Sequence, residues 1–403
     1  MPHISESEEY SHMKKKILAV MLAALCTALL ALAGCGNGGS DGSGAAADES
    51  VPAGEGAAEG ELSSELVFTE RMELAYAQCF TVDRYEGGYA LITIQDGSRY
   101  LLVPEGAEAP ADLPEDVWVI RGPVKNIYVA GTADMDYFLA MNAMDCVGFT
   151  SLEADGWYLP EVPDLIENGD ILFAGKYSAP DYELLLGQDC DLIIENTMIL
   201  HSPAILEQLR AVGFPVLVDY SSYEPDIRGR MEWIRLYGLL SGHEAEAEAA
   251  FGEQAAEATE ERENTGKTVA FFYITSSGTF NVRNSDDYVA QMIELAGGRY
   301  IFDDLSSGNA TGTTSIQVEE FLAAAADVDY LIYNSTIEGE MESIDDLLER
   351  CPQLADCRAV QEGHVFTTGK SMYQSVMELG TVVSDIHAML TGEGGMVYIE
   401  PLN

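Results

Sequence analysis

Basic residues are scarce in this 403-residue chain: 20 Lys and Arg stand against 68 Asp and Glu, so the formal net charge is −48. Binding to nucleic acid needs clustered Lys and Arg that release counterions from the phosphate backbone. The same deficit argues against attachment to anionic lipid by charge. The composition therefore predicts no nucleic-acid partner and a well-solvated acidic surface.

Cysteine and histidine are too few and too dispersed for a metal or disulfide framework. The seven cysteines include no C-x-x-C pair, which excludes zinc-ribbon and thioredoxin-type sites. No H-E-x-x-H motif is present either, which argues against a zinc enzyme. Cys351 and Cys357 flank a short turn and could form a disulfide, and coordination of bare iron by Tyr or His stays an open alternative.

The sequence has no apolar run long enough for a comfortable membrane span. The run from Ile17 to Ala33 is roughly 17 residues, against the ~20 that a spanning helix needs. Lys14 to Lys16 precede it, and small residues followed by Cys35 end it. This segment resembles a bacterial lipoprotein signal, which implies that residues 1–34 are removed and that Cys35 carries lipid. Because the first dozen residues are unlike the start of a signal, we expect Met13 to be the true start.

Composition then divides the rest of the chain. Residues 35–64 are rich in Gly, Ala, Ser, Asp and Glu, which predicts a flexible acidic linker behind the lipid. Residues 65–123 contain short β-rich runs separated by Gly87-Gly88 and Asp96-Gly97, which predicts a β-rich N-terminal region with hairpin turns.

From residue 124 onward, apolar strands alternate with helices in two separate stretches. Residues 124–240 and 267–395 each show this alternation, and Thr268–Tyr273 is an example of a predicted buried strand. Between them, residues 241–266 form a connecting segment with a predicted helix from Glu244 to Asn264, whose few large apolar residues suggest that it runs along the outside. The fold class predicted is α/β, with two Rossmann-like lobes of parallel sheet, one long helix joining them and a β-rich extension on the first lobe.

Several phrases occur in an order that resembles the substrate-binding proteins of ABC importers for ferric siderophores, haem and cobalamin. The resemblance runs from about Val124 to Leu390 and rests on short segments. These segments are Tyr182–Leu186 before Asp191–Ile194, Gly213–Val216, Leu239–Glu244, Glu294–Gly298, Glu319–Leu322 before Asp329–Ile332, and Arg358–Phe366.

The resemblance implies a binding protein without an intrinsic cofactor. Its ligand would be a small-molecule metal chelate: a ferric siderophore, haem or a corrinoid held between the lobes, with small opening and closing motions. The partners implied are an ABC permease and its ATPase. The protein itself would be a monomer, anchored by lipid to the outer face of the cytoplasmic membrane of a bacterium that lacks an outer membrane. The resemblance also implies one permease-docking glutamate per lobe, which is Glu183 in the first lobe and Glu319 or Glu320 in the second.

Loops at the carboxyl ends of the predicted strands supply the candidate ligand contacts. Aromatic side chains there suit a flat or bulky chelate, and cations suit its anionic groups. The candidates are Trp157, Tyr158, Lys176, Tyr177, Tyr223, Arg283 and Tyr373. Two alternatives stay open, a cell-surface enzyme or an adhesin on the same fold, although no nucleophile–base spacing in the sequence favours the enzyme.

Overall fold

A computed structural model describes residues 62–306 and 312–403. The predicted signal segment, Cys35 and nearly all of the predicted linker lie outside the described residues. The described chain forms one compact unit, whose largest hydrophobic core includes residues of the N-terminal sheet and of both lobes.

The N-terminal region is a five-stranded sheet in the order β1-β2-β3-β4-β5. Its pairs are antiparallel except for β4 with β5, which are parallel. One face places Phe80, Val82 and Ile92 in the main core, whereas the other face is covered by Leu62 and Leu66. The strands are β1 Phe68–Arg71, β2 Phe80–Tyr85, β3 Ala90–Ile94, β4 Arg99–Val103 and β5 Val117–Arg121.

The first lobe contains a five-stranded parallel sheet in the order β12-β11-β6-β7-β8. The residues of β6 are buried on both faces, as parallel strands covered by helices require. The strands are β6 Ile127–Val129, β7 Val147–Thr150, β8 Leu172–Phe173, β11 Leu192–Asn196 and β12 Val216–Asp219, with a small hairpin of β9 Gly175–Lys176 and β10 Ala179–Pro180. The helices are α1 Asp134–Ala140, α2 Val162–Asn168, α3 Tyr182–Gly187, α4 Pro203–Val212, α5 Ile227–Glu232 and α6 Ile234–Ser241.

The connecting helix α7 spans Glu244–Thr259. It begins where the sequence predicts but ends five residues before Asn264, at a point where the backbone of Glu260 turns extended. The prediction that it runs along the outside is only half right. Its small and apolar residues Ala247, Phe251, Ala255 and Ala258 recur at helical spacing and are buried, so α7 presents one face to the core and an acidic face to solvent.

The second lobe contains a seven-stranded sheet in the order β16-β14-β13-β17-β18-β19, with β15 also paired to β13. Its centre, β13-β17-β18, is parallel, whereas β14 and β19 run antiparallel to their neighbours. The strands are β13 Thr268–Ile274, β14 Phe280–Arg283, β15 Arg299–Tyr300, β16 Thr313–Ile316, β17 Tyr330–Tyr333, β18 Val365–Thr368 and β19 Ile399–Pro401. The helices are α8 Tyr288–Leu295, α9 Val318–Ala325, α10 Ile344–Arg350, α11 Arg358–Glu362 and α12 Leu379–Thr391, the last packing on α7.

The five cysteines of the described residues are all free, so Cys351 and Cys357 do not form a disulfide in this structure. Four of them are buried and Cys190 is half-buried. They therefore act as small apolar core residues.

Candidate functional site

The carboxyl ends of the parallel strands define a candidate site between the lobes. In the first lobe, β6 and β11 are neighbours although the chain leaves them toward opposite edges of the sheet. Such a switch point opens a crevice at the carboxyl ends of the strands, where α/β proteins bind ligands. The residues that follow these strands, together with those that follow β12, β17 and β18, are therefore the candidates for contact with a ligand.

Direct hydrogen bonds connect the loops of the two lobes. The side-chain oxygen of Gln374 accepts from the backbone N–H of Tyr158 at 2.8 Å, and its amide nitrogen donates to the carbonyl of Gly156 at 2.9 Å. Asp136 accepts from the backbone N–H of Met377 at 2.7 Å. These contacts bring the loop after β18 against the first lobe, so the two form one border of the cleft.

A polar cluster in the second lobe joins two of the predicted ligand contacts. The Tyr373 hydroxyl oxygen accepts from Arg283 Nη2, and it also accepts from Asn334 Nδ2 at 2.7 Å. Arg283 Nη1 lies 3.2 Å from Asp287 Oδ2. Because the phenolic oxygen accepts from both donors, its own proton stays available to a ligand.

A second arginine approaches this cluster from the first lobe. The Arg230 guanidinium carbon lies 4.1 Å from the ring centroid of Tyr288, and the Arg283 guanidinium carbon lies 5.9 Å from the same centroid. Burial lowers the pKa of Arg230. Burial also raises the pKa of Asp287, and the positive charge of Arg283 offsets part of that rise. Arg230 is only 7% exposed, and Arg283 pairs with Asp287, so Arg283 is the guanidinium of the two that an anionic ligand group can approach.

The other predicted contacts lie at different depths. Tyr158 is 47% exposed, and Lys370 Nζ lies 5.7 Å from the centroid of its ring. Tyr223 is 41% exposed and packs edge-on against Tyr220. Lys176 is exposed on the β9–β10 hairpin, and Tyr177 beside it is half-buried against the core.

Trp157 takes a different place from the one predicted. Its side chain is only 4% exposed and lies in the main core, so it offers almost no surface to a ligand in this structure. The residues on either side explain this: the Gly156 carbonyl and the Tyr158 N–H both bond Gln374, which fixes the segment with the indole directed inward.

Sequence reasoning missed several exposed apolar side chains beside the strand ends. Met198 and Leu200 follow β11 and are 47% and 42% exposed, and Ile337 follows β17 and is 51% exposed. Large apolar residues just after a buried strand can be recognised in the sequence as possible ligand contacts, because core packing does not require apolar residues at those positions. They add apolar surface to both lobes of the candidate site.

Buried carboxyl groups lie beneath the first-lobe loops. The Asp219 side chain accepts from the Tyr237 hydroxyl and, at 2.6 Å, from the backbone N–H of Ser221. Burial raises the pKa of Asp219 to about 6 and that of Glu195 to about 8, and it raises the pKa of Asp134 beside them as well. Among residues 62–306 and 312–403, no group of three or more His, Cys, Asp and Glu side chains is arranged to hold a metal ion.

The predicted docking glutamates are exposed and lie near helix starts. Glu183 is in the first turn of α3, whose cap is Asp181, a carboxylate that accepts from the backbone N–H of Leu184 at 3.0 Å. Glu319 and Glu320 are both exposed in the first turn of α9. Among the described residues, no helix is long and apolar enough to cross a membrane.

Two curated relatives are similar to this chain over most of its length. An uncharacterized lipoprotein of Methanocaldococcus jannaschii is 24% identical over 317 residues, which cover 74% of this chain and 77% of the relative. A second uncharacterized lipoprotein of that organism is 22% identical over 329 residues, covering 77% of this chain and 78% of the relative.

Solved structures share the fold. The periplasmic haem-binding protein HutB of Vibrio cholerae matches with a TM-score of 0.53 and 19% identity, over 65% of this chain and 98% of that one. The petrobactin-binding protein YclQ of Bacillus subtilis matches with a TM-score of 0.56 and 13% identity, over 75% and 98%. The periplasmic binding protein family model matches residues 132–372, more than half of the chain. The chain therefore belongs to the periplasmic binding protein family and is a substrate-binding protein, not an enzyme.

Proposed function

We propose that this protein captures a ferric siderophore-type iron complex, or haem or cobalamin, between its lobes and delivers it to an ABC permease. The observation that carries the proposal is the Arg283–Tyr373–Asn334 cluster, in which Arg283 approaches the same Tyr288 ring as Arg230 of the first lobe. A cationic and phenolic cluster suits the anionic periphery of a chelate. The exposed Met198, Tyr223 and Ile337 suit its apolar or aromatic surfaces.

The test is a thermal-shift panel of hemin, cyanocobalamin and ferric siderophores of catecholate, hydroxamate and carboxylate types. A ligand at 100 times its dissociation constant stabilises the folded state by about 2.7 kcal/mol, which is readily detected. Arg283→Gln should abolish most of the shift. Arg299→Gln is the matched control, because Arg299 is exposed and pairs with Asp303 away from the cluster. A panel in which no compound stabilises the protein would contradict the proposal.

Permease docking is the second part of the proposal. Glu183 on one lobe and Glu319 or Glu320 on the other would pair with basic permease loops and orient the encounter, since exposed ion pairs contribute only about 0.2–1 kcal/mol each. We expect Glu183→Lys combined with Glu320→Lys to reduce ligand uptake by cells while binding of the same ligand to the purified protein is unchanged. Unchanged uptake would favour an adhesin on this fold, and repeating the pair with Glu319→Lys identifies the second-lobe residue.

Membrane attachment is the third part, and it concerns residues outside those described. We propose that a lipid on Cys35 and the acidic linker hold the soluble body close to its permease, which raises the effective concentration of the receptor. Cys35→Ala should release the protein into the medium and lower uptake without altering ligand affinity. Measurement of uptake and of cell-associated protein in the same culture checks both consequences.

A further inference from the structure

The segment between β1 and β2 lies against the first lobe and is held by its backbone. The Glu232 carboxylate accepts from the N–H groups of Ala75, Tyr76 and Ala77 at 2.8, 2.7 and 2.8 Å. The Glu224 carboxylate accepts from the N–H groups that follow, those of Gln78 at 2.8 Å and Cys79 at 2.9 Å. Two carboxylates from the first lobe thus bind five consecutive amides of the N-terminal region.

Both carboxylates are buried, and their surroundings leave little freedom. Glu224 and Glu232 have 0% exposure, and Glu224 also accepts from Trp233 Nε1 at 2.9 Å. A Cβ atom on Gly229 of α5 would lie 3.2 Å from the Tyr76 carbonyl oxygen, so α5 and this segment are in close contact. Such a contact transmits a displacement of the N-terminal sheet to α5, because close-packed interiors deform little.

The opposite side of α5 touches the second lobe. The backbone N–H of Ile227 donates to Gln291 Oε1 at 2.9 Å, and Arg230 stacks on Tyr288. Arg230 Nη2 also donates to the carbonyl of Ser222 at 2.6 Å, in the turn that presents Tyr223 to the cleft. Helix α5 therefore lies between the N-terminal segment and three features of the cleft: the lobe boundary, the second-lobe helix α8 and the turn at Ser222.

We propose that Glu224 and Glu232 are positioning residues through which the N-terminal sheet sets the separation of the two lobes. The sheet holds the two carboxylates, the carboxylates hold α5, and α5 holds α8 and the cleft-facing turn. The inference goes beyond the proposed function, because it concerns how the lobes are held and does not depend on which ligand enters.

The test measures the lobe separation in the absence of ligand. Spin labels are attached to cysteines introduced at Glu183 and Glu319, which are exposed residues of different lobes. The protein used is the mature chain carrying Cys35→Ser. The same chain without the two introduced cysteines reports background labelling. Glu232→Gln replaces one carboxylate oxygen by an amide N–H₂ that faces backbone donors. We expect the mean label distance to shift, or its distribution to widen, by about 2 Å or more, the size of a real rearrangement.

Two controls make the result specific. Glu232 also pairs with Arg235, at 2.9 Å. Glu248→Gln removes the other carboxylate that pairs with Arg235, at 2.8 Å, but Glu248 is exposed and bonds none of the five amides, so the distribution should match the parent. Leu347→Ala opens a cavity in the second lobe, which lowers the unfolding temperature but should leave the distance unchanged.

A folded Glu232→Gln protein with the distance distribution of the parent would overturn the inference. If circular dichroism shows that this variant does not fold, Gln291→Leu replaces it in the test, because this substitution removes the hydrogen bond between Ile227 of α5 and Gln291 of α8. A distance distribution of Gln291→Leu equal to that of the parent would then also overturn the inference. Because no ligand is used, failure of the ligand panel and failure of this inference are separate results.

Discussion

At the residue scale, Glu195 is one of the buried acids of the first lobe whose pKa is raised. Neither carboxyl oxygen has a hydrogen-bond partner in the part of the chain that the structure describes, and burial raises the pKa from 4.5 to about 8. The folded state therefore keeps this proton at pH values where the unfolded chain has released it. By linkage, the contribution of Glu195 to stability is largest at low pH and declines as pH rises from about 4.5 to about 8.

Glu195→Gln should remove this decline, because the amide resembles the protonated acid and does not ionise. At pH 9 the variant should exceed the parent in unfolding free energy by about 2–4 kcal/mol, whereas at pH 4 the two should be similar. Urea unfolding across this pH range checks the prediction. Glu207→Gln, at an exposed residue of α4, should follow the parent, and parallel curves for the parent and Glu195→Gln would show that the buried acid does not titrate as described.

Tyr373→Phe removes the hydroxyl that accepts from both Arg283 and Asn334. Two donors lose their partner at the proposed ligand site, so we expect affinity for the best compound of the panel to fall about 10- to 100-fold, measured by calorimetry. Tyr89→Phe also deletes one tyrosine hydrogen bond, to the Glu108 carbonyl at 2.8 Å, but in the N-terminal sheet. Equal affinities of these two variants would separate Tyr373 from ligand binding.

At the element scale, the short helix α3 depends on its cap. Its six residues form too short a helix to be stable alone, and the Asp181 carboxylate satisfies one of the free N–H groups at its start. Asp181→Ala should cost about 1 kcal/mol of stability and loosen the turn that carries Glu183. We therefore expect slower ligand uptake by cells with unchanged affinity of the purified protein.

Ser343→Ala provides the comparison for the cap variant. Ser343 caps α10 by accepting from the backbone N–H of Asp346 at 3.2 Å, so a similar loss of stability is expected without an effect on uptake. If both variants reduce uptake equally, the loss follows from instability and α3 has no special role in docking.

The elements that the sequence predicts well are those whose pattern is local. The buried strand predicted at Thr268–Tyr273 is β13, because a run of apolar and aromatic residues is sufficient to identify a central parallel strand. The edge strands β16 and β19 were not predicted. Their residues are short, partly polar runs, and only pairing with β14 and β18 makes them strands.

The same limit applies to the candidate site. The sequence predicts Arg283 and Tyr373 as ligand contacts from their places near strand ends, but their hydrogen bond joins residues 90 positions apart, which only the tertiary fold determines. The turn residues around Trp157 predict a place in the cleft, yet core packing determines the direction of its indole. The ligand-binding and docking roles, and the domain boundaries, stay predictions.

At the scale of the whole molecule, the negative charge opposes folding. The full chain has a net charge of −48, and most of its carboxylates lie in the compact described body, where their mutual repulsion raises the free energy of the folded state relative to the expanded chain. The ion pairs of the described residues offset little of this, because most include an exposed partner, as Arg99 with Asp116 does. Stability should therefore depend on ionic strength.

Raising NaCl from 10 mM to 1 M shortens the screening length from about 30 Å to about 3 Å and should raise the unfolding temperature. At about 2.1 cal/mol/K of unfolding entropy per residue, a gain of 1 kcal/mol corresponds to about 1.5 °C in a folded body of this size, so a rise of at least that amount is expected by calorimetry. KCl should act equally, since screening does not distinguish the two cations. The effect should shrink at pH 4, where protonation removes much of the repulsion, whereas an equal rise at pH 4 would assign the stabilisation to apolar burial instead of charge.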